Sequence, residues 1–281
     1  MSLSSRNRGG LVFRAVRLFV LLATALAVIG PLAVIASSAF KTEQEIFRYP
    51  MTLIPEDPVL ENFRKLDEGD VRFPLYIFNS LKVTGTIVAI QLVTATMGAY
   101  AFAKLRWKGR DAVFILFIVS IMIPIQVYII PQFILVRNLG LYDTHLALVL
   151  VSVFTAFGTF MVKQFFMTVP DSLLESARID GAREFSIFSR IMLPLSKPVM
   201  ATVVIFSFRF FWNDFFAPLI FLISPEKKTL PLGLSDFATE YFTWHGPQMA
   251  ASLIAILPVM IIFIAAQHYI IRGVVASGLK G

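Results

Sequence analysis

The chain has 281 residues, 57% of them hydrophobic and only 15% charged, with 28 phenylalanines and a mean hydropathy of +0.76, far from the composition of a soluble globular domain. Its net charge of +7 would suggest a nucleic-acid partner for a soluble protein; in a membrane protein the placement of the positive charges matters more than their sum. With no cysteine, disulfides and thiolate metal sites are excluded, and His145, His245 and His268 form no ligand pair at helical spacing, which argues against zinc.

Six segments are apolar and long enough to cross about 30 Å of hydrocarbon: roughly 11–36, 77–103, 112–136, 144–162, 197–223 and 248–271. The first is too long for the apolar region of a secretory signal, and the chain behind it stays hydrophobic, so it reads as a retained helix. The intervening segment 37–76 carries Pro50, Pro55, Pro58 and Pro74 among acids and predicts short, irregular, water-exposed structure. Between the second and third spans, Lys104, Arg106, Lys108 and Arg110 stand with only Asp111 beside them. The third span holds Pro124 and Pro131, seven residues apart and so on one face. Proline in a membrane helix frees carbonyls that neighbours or water must satisfy. Either this is a kinked packing helix, or it lines a pathway and flexes, with Gln126 the polar group nearest the kink. A short turn at 137–144, broken by Gly140, leads into the fourth span.

A polar stretch, ESARIDGAREFSIFSRIMLP, separates the fourth and fifth spans. Pro170 and Asp171 can start a helix, Gly181 can break it because glycine takes positive φ without steric cost, and Pro194 is expected to close a second short helix that runs through Ile187. Leu174, Ile179, Phe185 and Phe188 would then fill a cleft on a partner, rimmed by Glu175, Arg178, Asp180 and Arg183. An amphipathic loop resting on the bilayer is the simpler alternative. The stretch resembles the loop by which membrane subunits of ABC importers grip their ATPases: Glu-Ala-Ala, three residues, Gly, nine residues, Ile, any residue, Leu-Pro. Glu175, Ala177, Gly181, Ile191, Leu193 and Pro194 match it, and Ser176 replaces the second letter with another small residue. Six such identities coincide by chance about once in ten million positions on average composition. The resemblance implies an ATPase-coupling role for Glu175, Ser176, Ala177, Asp180, Gly181, Ala182, Ile191, Leu193 and Pro194.

In the fifth span Arg209, Asn213 and Asp214 are charged or polar where such groups are costly and usually face a cavity or each other. On a continuous helix Arg209 and Asn213 share a face, with Asp214 about 140° away from Arg209. They are either glue between helices or the lining and gate of a translocation route. Trp212–Asn213–Asp214 followed by Pro218 resembles the Trp-Asn-Asp signature of maltose-type carbohydrate permeases. The route candidates are therefore Arg209, Trp212, Asn213, Asp214 and Gln126. The segment 241–251, YFTWHGPQMAA, resembles the part of those permeases that touches the binding protein, which makes Tyr241, Phe242, Trp244 and Gln248 contact candidates; an aromatic belt at the headgroups is the competing reading. Segments 51–62 and 272–281 resemble the external loop and the glycine-containing C-terminus of the same family, and for the latter a flexible tail is the alternative.

Counting lysine and arginine in the loops gives fifteen on one side and eight on the other, which places both termini and the 175–194 loop in the cytoplasm. No Gly-x-x-x-x-Gly-Lys-Ser/Thr loop, His-Glu-x-x-His or Gly-x-Ser-x-Gly occurs, so the chain does not read as an enzyme or as a nucleotide binder. The expectation is an all-α membrane protein: residues 1–10 as a cytoplasmic N-terminus, 11–271 as a six-helix domain of type I ABC importer permease fold with cytoplasmic coupling helices, and 272–281 as a cytoplasmic tail. Within the domain, 37–76 and 224–247 are external loops and 163–196 the ATPase-coupling loop. The resemblance implies a permease for a sugar or oligosaccharide in a bacterial or archaeal cytoplasmic membrane, with no cofactor of its own. Its partners would be a second permease, two ATPases carrying ATP and magnesium, an extracytoplasmic binding protein and the bilayer, with no nucleic acid. Arg209 keeps open a phosphorylated polyol such as glycerol-3-phosphate. An ion-coupled secondary transporter using Arg209 and Asp214 as a charge relay is a rival from another class.

Overall fold

The computed structural model describes residues 5–68, 72–237 and 244–278, with side chains at 13–68, 72–237 and 244–267. Among the described residues all regular structure is helical. The chain divides into two compact units, residues 1–71 with 236–256, and residues 72–235 with 257–281.

The first unit opens with the helix Ser5–Ser38, whose Phe13–Ser38 part is long and apolar enough to cross a membrane. The segment after it is more ordered than its prolines suggest. Thr42 caps a short helix at Glu43–Ile46, accepting from the Glu45 amide at 3.4 Å, and a second lies at Glu61–Arg64. Two buried polar side chains hold the path: Lys41 donates to the carbonyl and hydroxyl of Thr52, and the Asn62 amide donates to the carbonyls of Ala39 (3.0 Å) and Lys41 (2.8 Å). Buried polar groups persist where they find such partners. The Glu43 carboxylate accepts from the amides of His245 (3.3 Å) and Gly246 (3.2 Å), satisfying orphan donors at the start of the helix His245–Gly278. A Cβ on Gly246 would lie 2.4 Å from Asn62 Oδ1, so a side chain there would have to displace the buried Asn62 amide from its two carbonyl partners. The C-terminal stretch expected as a tail continues this helix to Gly278.

The second unit is organised by the helix Phe73–Lys104, which Pro74 starts and whose last turn carries Lys104. Its buried residues Phe73, Tyr76, Ser80, Val83, Ile87, Gln91, Ala95 and Ala99 recur every three or four positions, the spacing of a face turned to a core. Small residues on that face admit the helix Ala156–Thr168, whose Gly158, Thr159, Val162 and Phe166 are buried, as small residues do between membrane helices. At Gly158 an added Cβ would come within 2.7 Å of Thr155 and 3.1 Å of Val203 on the helix Lys197–Trp212.

Three of the expected spans are interrupted. The third does not merely kink: Arg110–Val119 passes through a 3-10 turn at Ser120–Met122, then restarts after Pro124 as Ile125–Asn138, bent by 102°. Proline at the restart lacks the amide that would continue the first ladder. The fourth is His145–Leu150 and Ala156–Thr168, each begun by a threonine side chain, Thr144 and Thr155, accepting from the backbone. The fifth stops at Trp212 and resumes as Phe216–Phe221. Three single helices among the described residues are long and apolar enough to span, namely Phe13–Ser38, Phe73–Lys104 and His245–Gln267. Counting two bent pairs as one span each, Arg110–Met122 with Ile125–Asn138 and Glu184–Leu195 with Lys197–Trp212, would make five.

Candidate coupling hairpin and membrane cavity

The polar stretch forms a hairpin of two short helices. The first, Asp171–Ile179, begins after the extended Pro170 with Asp171 in its first turn. Lys104, its side chain only 5% exposed, reaches from the end of the central helix to the Val169 carbonyl (2.6 Å) and the Asp171 carboxylate (2.6 Å). That ammonium holds the Asp171 carboxyl below the usual range. Gly181 sits at φ +82, the Ala182 amide donates to Ala177 O (2.9 Å), and the Gly181 amide donates to Arg178 O (3.0 Å). These two bonds close the helix in a Schellman turn. The small and glycine letters of the motif are thus the turn itself.

The returning helix of the hairpin differs from expectation. Glu184–Ile187 runs into a π-helical turn, Phe188–Met192, and continues through Leu193–Leu195, so Pro194 does not close the helix. Proline is tolerated because it occupies the first turn after the π segment, where its missing amide is not needed. Leu174 and Phe188, expected to fill a partner's cleft, are buried with Ile187, Met192, Tyr100, Val162 and Phe166. Ile179 and Phe185 are the apolar residues that project, at 86% and 73% exposure. Glu175, Ser176, Asp180 and Gly181 are exposed beside them, with Ala177, Ala182, Ile191 and Leu193 half-buried. Glu184, which the sequence reading passed over, ties the hairpin together: Arg178 Nε donates to one carboxylate oxygen (2.8 Å) and the Tyr100 hydroxyl to the other (2.5 Å). Arg178 first, then Tyr100, holds its carboxyl below the usual range. A cavity of about 540 Å³ beneath the hairpin is lined by Lys104, Arg106, Arg110, Asp171, Glu175 and Glu184 among others.

The three interrupted helices meet elsewhere, around a cavity of about 1070 Å³. Ser120 and Ile121 come from the first break, Val151, Ser152 and Phe154 from the second, and Asn213, Asp214 and Phe215 from the third. Arg209 and a set of aromatic rings, Tyr128, Phe157, Phe206 and Phe210 among them, complete the wall. Arg209 and Asn213 lie one turn apart as the helical wheel expects, with Asn213 as the last cap of the helix, and Asp214 falls beyond the helix end. Asn213 Nδ2 donates to Arg209 O (2.7 Å), closing the helix, and Asp214 Oδ1 accepts from the amides of Phe216 (3.1 Å) and Ala217 (3.3 Å), opening the next. Arg209 and Asp214 form no ion pair among the described residues. Trp212 is buried, stacked on Phe208 at 5.4 Å, and Gln126 is exposed; neither lines the cavity. Gln91, which the sequence reading missed, lines it from the central helix: Nε2 donates to Ser152 O (2.7 Å), and Oε1 accepts from Ser207 Oγ (2.9 Å). The available signal was a lone amide within an apolar run.

At the other end of this unit Asp143, at φ 58, accepts from the amides of Ile223 and Ser224, the Ser224 hydroxyl (2.5 Å) and Lys227 Nζ (2.8 Å). Burial pulls its carboxyl upward, and these donors together overcome it and hold it well below the usual range. Asn79 Nδ2 donates to the carbonyls of Glu226 and Lys228, both at 2.9 Å, so the start of the 224–247 loop is fixed from two sides. In the first unit Trp244 is 42% exposed and Gln248 half-buried; Tyr241 and Phe242 lie outside the described residues.

Residues 83–275 match the family described as binding-protein-dependent transport system inner membrane component. The chain is 34% identical over 253 residues to the arabinooligosaccharides transport system permease protein AraQ of Bacillus subtilis, covering 89% of this chain and 90% of that one. It is 32% identical over 279 residues to the sn-glycerol-3-phosphate transport system permease protein UgpE of Pectobacterium atrosepticum, covering 96% and 98%. Its fold is similar, at TM-score 0.82 and 25% identity over 96% of this chain and 98% of the other, to a chain in the crystal structure of a bacterial ABC transporter involved in the import of the acidic polysaccharide alginate.

Proposed function

This chain belongs to the binding-protein-dependent transport system inner membrane component family, and we propose that it is the permease subunit of an ATP-driven importer for a sugar or oligosaccharide. The observation that carries the reading is the Schellman-closed hairpin at 171–195, built from the residues of the coupling motif and presenting Ile179, Phe185 and Glu175 outward. In this reading the chain crosses the cytoplasmic membrane six times with both termini inside and pairs with a second permease. The hairpin docks on an ATPase subunit that carries the nucleotide and magnesium; the chain binds no cofactor itself. An extracytoplasmic binding protein delivers substrate to the outer face, where Tyr241, Phe242, Trp244 and Gln248 are its contact candidates. Aromatic walls of the kind seen in the larger cavity suit the apolar faces of sugar rings. One observation favours a second substrate class: Arg209 lines that cavity and, among the described residues, has no carboxylate partner, which suits it to the phosphate of a phosphorylated polyol. The two are separated by whether a neutral oligosaccharide or a polyol phosphate stimulates ATP hydrolysis in the reconstituted complex.

Glu175→Lys and Gly181→Pro test the docking role. Both variants are expected to insert in the membrane, to lose the ATPase on co-purification, and to drop ATP-dependent uptake at least 10-fold. Normal coupled uptake by both would sink the assignment.

A further inference from the structure

The hairpin is not a freely hinged appendage. Glu184 accepts from Arg178 on the first short helix and from Tyr100 on the central helix, while Lys104, one turn further on, holds Asp171 and the Val169 carbonyl at the hairpin's other root. Leu174, Ile187, Phe188 and Met192 fill the space between these two polar ties and pack on Ala99, Tyr100 and Phe166. Two charge-assisted contacts on either side of an apolar wedge fix orientation as well as distance. Nine residues back along the same helix, about 14 Å at the helical rise, Gln91 bridges the backbone at the break of one span to Ser207 on another, both at the cavity.

We propose that Tyr100 and Glu184 are positioning residues forming a rigid joint, through which displacement of the hairpin turns the helix Phe73–Lys104 and, by way of Gln91, the broken segments around the cavity. This rests on the hairpin being the ATPase-docking element. A joint of this kind need not contribute to docking, since both carboxylate oxygens of Glu184, though its side chain is 46% exposed, are taken by Arg178 and Tyr100 of its own chain, and the apolar residues that project are Ile179 and Phe185. Such a joint transmits by moving as one packed body, and a softened contact would let the hairpin move while the helix stays behind.

The experiment uses the full complex reconstituted with its ATPases and binding protein. Tyr100→Phe removes the hydroxyl alone, and Glu184→Gln keeps an acceptor while removing the charge that Arg178 needs. The joint predicts that both retain ATPase on co-purification and retain ATP hydrolysis, while substrate moved per ATP falls 5-fold or more, Tyr100→Phe being the milder. Because the chain has no cysteine, spin labels at Arg183→Cys and Lys108→Cys can report the separation between hairpin and helix end. It should stay constant between nucleotide-free and ATP-bound states with Tyr100 and Glu184 present, and change in the variants. Transport and hydrolysis falling in proportion, or a label separation that changes with ATP in the otherwise native chain, would overturn the joint. Loss of ATPase from Glu175→Lys is read separately, so failure of the docking assignment and failure of the joint are distinguishable.

Discussion

At the scale of single residues, the outcome depends on which partners a side chain finds, and sequence spacing reports that only when the partner is local. Gly181 was legible because its role, a left-handed turn closing a helix, is settled within five residues; Ala177 and Ala182 complete the same turn. Glu184, Gln91 and Asp143 were not legible, since each has a partner far away in the chain, 84, 116 and 81 positions off, and for Glu184 the nearer Arg178 alone does not show the tie to Tyr100. Asp143 yields a prediction with a definite sign. Its carboxyl is held below the usual carboxylate range in the folded state, so its contribution is fully present above about pH 4, where the unfolded group is also ionised. As pH falls below that value the unfolded chain takes up the proton first, and the contribution shrinks as pH approaches the folded value. Asp143→Ala should cost about 1.5–3 kcal/mol near neutral pH, as loss of hydrogen bonds to a charged group does. Thermal unfolding in detergent from pH 7 to pH 3 should show the gap between Asp143→Ala and the unaltered chain narrowing with acid. A gap that stays constant would mean that the loop is held by packing, with Lys227 and Ser224 incidental.

At the scale of elements, hydropathy located the apolar segments well and said nothing of their interruptions. An apolar residue at the end of a helix and one in its middle have the same side-chain hydropathy; what differs is whether the next amide has a carbonyl to meet. Pro124 announces its break by lacking an amide, but the breaks at 151–155 and 213–215 depend on Thr155, Asn213 and Asp214 offering side-chain oxygens or donors to the backbone. The polar residues of the fifth span are therefore first of all caps, a structural role that neither helix glue nor a charge relay describes. This separates two variants of Asp214. Asparagine caps about as well as aspartate, so Asp214→Asn should leave the unfolding midpoint within about 1 °C, a few tenths of a kcal/mol for a chain of this size. Asp214→Ala leaves the Phe216 and Ala217 amides without their acceptor and should cost about 0.5–2 kcal/mol. If uptake is lost in the asparagine variant while stability is kept, the charge itself acts in the cavity. If uptake falls only with the alanine variant and in step with stability, capping is the whole of its role.

At the scale of the whole molecule, the distribution of lysine and arginine is the argument for orientation, and its physical basis is independent of the coupling motif. The two agree, because the side richest in positive charge is also the side that carries the hairpin. The family and the full-length likeness to other permeases fix the class of fold; which face meets the cytoplasm is open to a direct measurement. The cysteine-free chain allows single substitutions at exposed positions, Asp57→Cys and Glu226→Cys on the expected outer side, Lys108→Cys and Arg183→Cys on the inner. A membrane-impermeant thiol reagent should label the first pair in intact spheroplasts and the second pair only in inside-out vesicles. Added binding protein should shield Gln248→Cys if that segment is its landing site, with Asp57→Cys as the comparison. The reverse labelling pattern would put the hairpin outside the cell, away from ATP, and would remove the coupling role whatever its sequence. Labelling of Glu226→Cys and Lys108→Cys from the same side would instead require an even number of crossings between residues 108 and 226, where the proposed topology has three. One of the interrupted spans would then be a re-entrant loop, an outcome that the 102° bend of the third makes worth measuring and that side-chain hydropathy has no means of detecting.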